Sequence, residues 1–352
     1  MAQETEFPYR GKAVAFTKPY HAEVVSDVGF GTMDADGVVL KTLYSVISRG
    51  TEMDLYTNQF HQKGERGQYY PLIPGYLPVG EVVEVGKNVR HLKLGDIAIG
   101  SNIFTGLSKP YCTAWGGHTE YVVFSRHTHP RLAAARVLKV PDQIEPRYAP
   151  LAVLGAIARH GITKKVRPQK YHTVLVVGQG VIGNFCAQIC QEQGAQVIVT
   201  DLEALRLECS RNCGLAETIN AREEPLQKVL MEKTEGKGVD AVIDVTGDPS
   251  MFNHLWSLTK ADGLIHGQGM YLDPLSLHFP STLFGRRLSL TCTSGEQPEH
   301  VHAVLGRMAN GRLKYEKLLS EVRSVTEATV VYQRVHDCPN ELMTVALDWT
   351  GS

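Results

Sequence analysis

Three glycines and one acid carry the clearest chemistry in the chain. Residues 172–201 read HTVLVVGQGVIGNFCAQICQEQGAQVIVTD. An apolar run, Val174 to Val177, ends in Gly178-Gln-Gly180-Val-Ile-Gly183; a helix pattern follows, then a second apolar run, Val197-Ile198-Val199, closing on Thr200-Asp201. A G-x-G-x-x-G turn between a strand and a helix is the pattern of a dinucleotide site. Gly178 permits the tight strand-to-helix turn, Gly180 lets the backbone approach a pyrophosphate, and Gly183 lets the helix lie close on the strand. The helix opening at Val181 and Ile182 would offer the anion its unpaired N–H groups and the positive end of its dipole. Asp201 stands where a carboxylate accepts hydrogen bonds from an adenosine ribose and repels a 2′-phosphate. Leu202 follows, where an NADP enzyme more often carries arginine, and Arg206 lies a helical turn further on. NAD is therefore expected over NADP.

The elements around this turn are legible as a series. From Leu151 to about Thr293, β-branched runs alternate with helix patterns, at 173–177, 196–200, about 216–219, 240–244, 263–267 and 288–293. This alternation predicts an α/β fold with a parallel, doubly wound sheet. In the helix after the glycines, Ile182, Phe185, Cys186, Ile189 and Cys190 keep a 3.6-residue period, which gives one apolar face to cover the sheet. Ligands in such sheets lie beyond the carboxyl ends of the strands, so Thr246 and Gly247 after the fourth strand, and Gly267, Gln268 and Gly269 after the fifth, are expected to line the cofactor site. The first 150 residues differ in texture. Short runs at Lys12–Phe16, Gly37–Tyr44, Gly80–Val85, Asp96–Gly100 and Thr119–Phe124 are punctuated by Gly, Pro and Asn and read as β-rich. After Ser294 a helix is expected at about 297–310, then short strands.

Length and composition set the bounds. At 352 residues two domains are expected. The 36 basic and 37 acidic residues are balanced and point to neither a nucleic-acid nor a membrane partner. No apolar run approaches the roughly 20 residues of a membrane span, and the opening MAQETEFPYRGKAV has no apolar signal core. Seven cysteines without a CxxC pair fit reduced thiols, and a cytoplasmic location is expected. Cys186/Cys190 and Cys209/Cys213, each four apart on helix patterns, read as buried thiols rather than metal ligands.

A β-rich first half joined to a nucleotide fold resembles the medium-chain dehydrogenase/reductase superfamily. The likeness is carried by Leu72-Ile-Pro-Gly75-Tyr76 with Gly80 to Gly86, Leu94-Gly-Asp96, the stretch from Gly116 to Val123, the glycine turn, and Asp240 to Gly247. It implies a GroES-like catalytic domain from residues 1–151 and 294–352, a Rossmann domain from 152–293, a cofactor cleft at their junction, and a homo-oligomer, dimer or tetramer. Zinc-dependent members hold the catalytic metal with a Cys, a His and a further Cys or Glu. Motif by motif, those positions fall here on Ser48, Tyr76 and near Val153. Neither a hydroxyl, a phenol nor an alkyl chain is a useful zinc ligand. The four clustered cysteines of the structural-zinc lobe are reduced, over about 101–118, to Cys112. No zinc is therefore expected. The run Ser48-Arg49-Gly50-Thr51-Glu52, with Pro71 to Tyr76, resembles a zinc-free branch that includes bacteriochlorophyllide dehydrogenase-like and cyclitol dehydrogenase-like proteins.

Without zinc as Lewis acid, a hydrogen-bond donor or general acid/base must serve the substrate oxygen while hydride moves. The resemblance points to Tyr76, whose phenol replaces a metal ligand or else merely fills the vacated pocket. Glu52 is a second candidate, as base or hydroxyl-orienting group, against a salt bridge to Arg49 or packing at a helix start. Ser48 and Thr51 could relay protons or cap a helix. The resemblance also implies that Arg49 reaches the pyrophosphate, which its planar fork suits. Residues Tyr56 to Tyr70, with Phe60, His61, Lys63, Arg66 and Tyr69, read as a substrate lid or an ordinary loop. His118 and His160 read as structural. The expected activity is zinc-independent hydride transfer between NAD(H) and a secondary alcohol or ketone, on a polyhydroxylated ring or another secondary-metabolite intermediate. An NAD(P)H-dependent enoyl or quinone reductase and a non-catalytic nucleotide-binding protein are the alternatives.

Overall fold

The computed structural model describes residues 7–62, 70–100, 106–127, 134–277 and 279–351. The chain divides into two compact units, Met1–Val153 with Leu319–Ser352, and Leu154–Leu318.

The first unit is built on antiparallel strands. Strands β1 (Tyr9–Lys18) and β2 (His21–Phe30) form a hairpin. Strand β3 (Val38–Val46) leads into helix α1 (Arg49–Tyr56) and the single turn α2 (Gln59–Gln62). Then come β4 (Leu72–Ile73), β5 (Pro78–Val85), β6 (Ile97–Gly100), β7 (Cys112–Thr113), β8 (Tyr121–Phe124) and β9 (Val137–Lys139). One sheet has the order β2-β1-β4-β7. Ala13, Ala15, Val28, Phe30, Val39, Ile73 and Val123 share one buried cluster, which joins that sheet to β3 and β8. Such alternating apolar faces are what a half-buried strand requires. In the lid segment, residues 63–69 lie outside the described residues, as do 101–105 in the region matched to the zinc lobe.

The second unit opens with α3 (Leu151–Gly161, its first turn still in the first unit) and carries the expected alternation. Strand β10 (Thr173–Val177), helix α4 (Val181–Glu192), β11 (Gln196–Asp201), α5 (Ala204–Asn212), β12 (Glu217–Asn220), α6 (Leu226–Lys233) and β13 (Val239–Asp244) follow in turn. Two short helices, α7 (Pro249–Phe252) and α8 (Leu255–Leu258), precede β14 (Thr259–Gly267) and β15 (Ser289–Cys292). The six strands are all parallel, in the order β12-β11-β10-β13-β14-β15. This is a doubly wound sheet whose order reverses between β10 and β13, where such folds bind ligands. On α4, Phe185, Cys186, Ile189 and Cys190 are buried as their spacing required, each large side chain contributing roughly 1.5–3 kcal/mol relative to exposure.

Two differences from the sequence reading concern the last sixty residues. The helix α9 (Pro298–Ala309) was expected with the first unit but belongs to the second. Its Val304 lies so close to Gly155 of α3 that a Cβ there would stand 2.8 Å from Val304 Cγ1, and Phe185 of α4 borders the same spot. The unit boundary therefore falls at 318 rather than 293. Between β16 (Glu321–Ser324) and β17 (Val345–Asp348), short strands of the first unit, lies a ten-residue helix, α10 (Ala328–Asp337). Strand β17 pairs with β3, completing the larger sheet of that unit.

Candidate active site

The glycine turn is built as its residue types require. Gly178 has φ +89°, and a Cβ on Gly183 would stand 1.9 Å from the Gly178 carbonyl oxygen. Gly180 is the N-cap of α4, in extended conformation, and among the described residues no atom beyond its chain neighbours lies within 4 Å of where its Cβ would be. That open cradle, over free helix N–H groups, fits a pyrophosphate. Val181 and Ile182 form the first turn of α4. Asp201 ends β11 and is buried. Its carboxylate accepts from the Gln179 N–H at 2.7 Å and the Glu203 N–H at 2.9 Å, and Arg206 Nη1 stands 3.5 Å away. The acid thus ties the glycine turn to the end of β11, with Arg206 beside it.

The other strand ends converge on the same edge of the sheet. Thr246 Cγ2 would lie 3.2 Å from a Cβ on Gly178, which places the Thr246 loop against the glycine turn. The N–H groups of Gln268 and Gly269 donate to the Asp244 carbonyl, and Gly247 lies against Met270 and Gly269. Thr246 and Tyr271 both donate to the buried Asp244 carboxylate. Burial raises the Asp244 carboxyl and pushes the Tyr271 phenol up. Gly267 lies at the end of β14, where a Cβ would come 3.4 Å from the Tyr271 ring. Gln268 is 6 % exposed; its Oε1 faces His266 Nε2 at 3.1 Å and accepts from Thr293 at 3.2 Å, while its Nε2 finds no partner among the described residues. A buried amide with an unused donor is costly alone and fits a polar ligand such as a carboxamide.

A second constellation lies wholly within the first unit. The hydroxyls of Ser48 and Tyr76 share a hydrogen bond of 2.6 Å. Ser48 is the N-cap of α1, yet its side chain makes no cap hydrogen bond. Its N–H instead donates to Glu52 Oε1 at 2.8 Å. Glu52 Oε2 accepts from Tyr332 at 2.5 Å and pairs with His118 Nε2 at 2.8 Å. His118 Nδ1 lies 2.7 Å from Ser45 Oγ, which accepts from Trp349 Nε1 at 2.8 Å. Glu52, His118, Ser45 and Tyr332 are all 0 % exposed, whereas Tyr76 and Ser48 retain 9 % and 6 %. The Tyr76 ring sits 5.4 Å from that of Trp115. The phenol and the serine hydroxyl can hand a proton between them, and the carboxylate behind them cannot reach solvent.

This geometry corrects several expectations. Glu52 is fully buried and pairs with His118 rather than Arg49. Arg49 Nη1 donates to the Leu342 carbonyl at 2.5 Å and Nη2 to that of Pro339 at 2.7 Å, which anchors the segment before β17. Thr51 lies on the first turn of α1, half-buried. Val153 is fully buried and apolar in α3. A hydroxyl, a phenol and an alkyl chain do not fit a zinc ion, and no group of three His, Cys, Asp or Glu side chains among the described residues could hold a metal. His118, read as structural, is the hub of the buried network. Tyr332, Trp349, His266, Tyr271 and Thr293 were not singled out; nothing in local spacing marks them, since their partners are up to 304 residues away.

Comparison with known proteins follows the two units. The alcohol dehydrogenase GroES-like domain matches residues 35–134 and the zinc-binding dehydrogenase domain residues 181–310. An L-threonine 3-dehydrogenase of Pectobacterium atrosepticum is 24 % identical, over 78 % of this chain and 77 % of its own. Two solved structures share the fold, each with a TM-score of 0.80 and 21 % identity over 97 % of this chain and 99 % of theirs. One is a candidate zinc-binding dehydrogenase of Sinorhizobium meliloti bound to NADP, the other an alcohol dehydrogenase of Escherichia coli complexed with NADH. With a GroES-like β unit, a six-stranded Rossmann sheet and family matches over about two thirds of its length, the chain belongs to the medium-chain dehydrogenase/reductase superfamily as an NAD(P)-dependent oxidoreductase.

Proposed function

We propose that this protein is an NAD(H)-dependent, zinc-independent dehydrogenase that interconverts a secondary alcohol and its ketone. The observation that carries the reading is the 2.6 Å pair of Ser48 and Tyr76 hydroxyls, formed by the two residues that stand at metal-ligand positions of the zinc enzymes. The nicotinamide, when bound, accepts or donates the hydride. The cofactor would be held by the Gly178–Gly183 turn through its pyrophosphate, by Asp201 and Arg206 at the ribose, and by Thr246, Gly247, Gly267 and Gln268 along the strand ends. In ketone reduction the phenol O–H donates to the carbonyl oxygen and neutralises the alkoxide as it forms. Ser48 passes its proton to the phenolate across the short hydrogen bond, and water, which both hydroxyls still reach, reprotonates Ser48. Alcohol oxidation runs the same path in reverse: the pair first gives one proton to water and then takes the substrate hydroxyl proton as the C–H bond yields hydride.

NAD preference rests on Asp201, whose carboxylate repels a 2′-phosphate. The relative named for L-threonine supports a secondary alcohol as the reacting group. A polyhydroxylated ring or a related intermediate is the proposed setting, the protein acting in the cytoplasm as a homo-oligomer. Tyr76→Phe tests the reading. Turnover should fall by roughly 10²-fold or more with NADH affinity unchanged, and near-wild-type turnover would remove the phenol from the chemistry. Metal analysis of the purified protein tests the rest: about one tightly held zinc per chain would overturn the zinc-free mechanism, and a strong preference for NADPH would overturn the cofactor assignment.

A further inference from the structure

We infer that His118 is the positioning residue of the oxygen-handling site, because it sets both members of the Ser48–Tyr76 pair from behind. This rests on the reading of Tyr76 given above. One contact runs through the ring. Gly75, which precedes Tyr76, has φ +94°, and a Cβ there would stand 2.5 Å from His118 Cδ2 and 2.7 Å from Cγ. The imidazole therefore lies flush against the backbone that carries the phenol. Two main-chain hydrogen bonds fasten the same spot: His118 N–H to the Pro74 carbonyl at 3.1 Å, and Gly117 N–H to the Gly75 carbonyl at 2.7 Å. The other contact runs through Nε2, which holds Glu52, whose second oxygen holds the Ser48 N–H.

The donor inventory gives this chain a direction. Trp349 Nε1 can only donate, so Ser45 Oγ accepts from it. In the tautomer with its proton on Nε2, His118 accepts from Ser45 at Nδ1 and donates to Glu52. Tyr332 and the Ser48 N–H also donate to Glu52, so both of its oxygens are held in place. An N-cap serine ordinarily turns its hydroxyl onto the N–H groups of the first helical turn, for about 1 kcal/mol. The Ser48 hydroxyl makes no such bond and turns to Tyr76, while Glu52 holds the Ser48 N–H and so fixes the backbone that carries the hydroxyl.

The test is a double-mutant cycle. His118→Gln and, separately, Tyr332→Phe would each be made alone and combined with Tyr76→Phe, and read as kcat, NADH dissociation constant and melting temperature. Tyr332→Phe removes one of the three hydrogen bonds to Glu52 and keeps the ring that packs edge-on against Phe16, so it guards against a His118 variant that fails to fold. The expected result is a kcat loss of about tenfold or more for each variant with NADH binding within about threefold, and little further loss in the Tyr76→Phe background, because all act through the same phenol. Equal losses with and without Tyr76, or no loss from either variant, would overturn the positioning role and leave the Tyr76 mechanism standing. Near-wild-type turnover of Tyr76→Phe alone would instead remove the mechanism, and the positioning role with it.

Discussion

Replacing Gly180 and Gly183 by alanine, one at a time, separates cofactor recognition from packing within one turn. At Gly180 the backbone has φ −65°, which any residue adopts, and among the described residues the added methyl meets no atom beyond its chain neighbours within 4 Å. The folded protein should tolerate it: the gain of about 0.4–1 kcal/mol from a less flexible unfolded chain is offset by alanine's poorer fit at an N-cap. The melting temperature should therefore stay within about 2 °C. The space the methyl enters is nevertheless where the pyrophosphate must come. Moving the phosphates by about 1 Å costs on the order of 10²-fold in a well-fitted site, so the NADH dissociation constant should rise about 10–100-fold, or roughly 1.4–2.8 kcal/mol. At Gly183 the methyl would stand 1.9 Å from the Gly178 carbonyl oxygen, so α4 must retreat from β10 by about 1 Å to reach a tolerable contact. Overpacking of this kind costs about 1–3 kcal/mol, only partly offset by the better helix propensity of alanine. The melting temperature should fall by roughly 2–8 °C, and NADH binding should weaken as well. Differential scanning fluorimetry without cofactor and a fluorescence titration with NADH measure the two quantities. A Gly180→Ala protein that binds NADH as the wild type does would refute the placement of the pyrophosphate. One that melts as early as Gly183→Ala would refute the open cradle.

Two further outcomes follow from the structure. Arg49→Ala should lower stability by about 1–3 kcal/mol, through loss of the hydrogen bonds to Leu342 and Pro339, while NADH affinity stays within about threefold; a large loss of NADH affinity at unchanged melting temperature would return Arg49 to the phosphate. Burial holds the His266 imidazole below its ordinary value near 6.5, so below that pH the unfolded chain binds a proton that the folded chain refuses, and stability falls on acidification. His266→Gln should shrink the drop in melting temperature between about pH 7.5 and pH 5.5, and an unchanged slope would contradict the assignment.

What could be read from the sequence was local. The glycine turn, the six strands of the parallel sheet and the apolar face of α4 depend on residues a few positions apart, and they stand where periodicity and turn chemistry put them. Helix α10 was missed because Thr329, Val330 and Val331 favour strands by composition. The signal that marks it is the capping box of Ser324 and Glu327 just before it. Helix α9 was assigned to the wrong unit because an amphipathic pattern reveals a buried face but not what covers it. The network behind Tyr76 had no sequence signature at all. Ser45, His118, Tyr332 and Trp349 meet only after β17 has paired with β3, and a lone histidine or tryptophan in sequence carries no trace of such a partner. The acceptors of Arg49 were hidden for a related reason, since they are backbone carbonyls nearly 300 residues on.

The split of the first unit into Met1–Val153 and Leu319–Ser352 sets an order of assembly. During synthesis the ribosome delivers most of the β unit, then the whole of the nucleotide unit, and only then the strands and helix that complete the first. Until residues 321–349 emerge, β3 lacks its partner β17, and Glu52 lacks the hydroxyl of Tyr332. The nascent chain therefore has all the residues of its dinucleotide unit before the buried carboxyl group behind Tyr76 has its full set of partners. Truncation after Leu318 would spare the one unit and leave the other with a bare sheet edge and an under-partnered interior carboxyl group. In this chain the segment made after the dinucleotide unit is the one that closes the site proposed to handle the substrate oxygen.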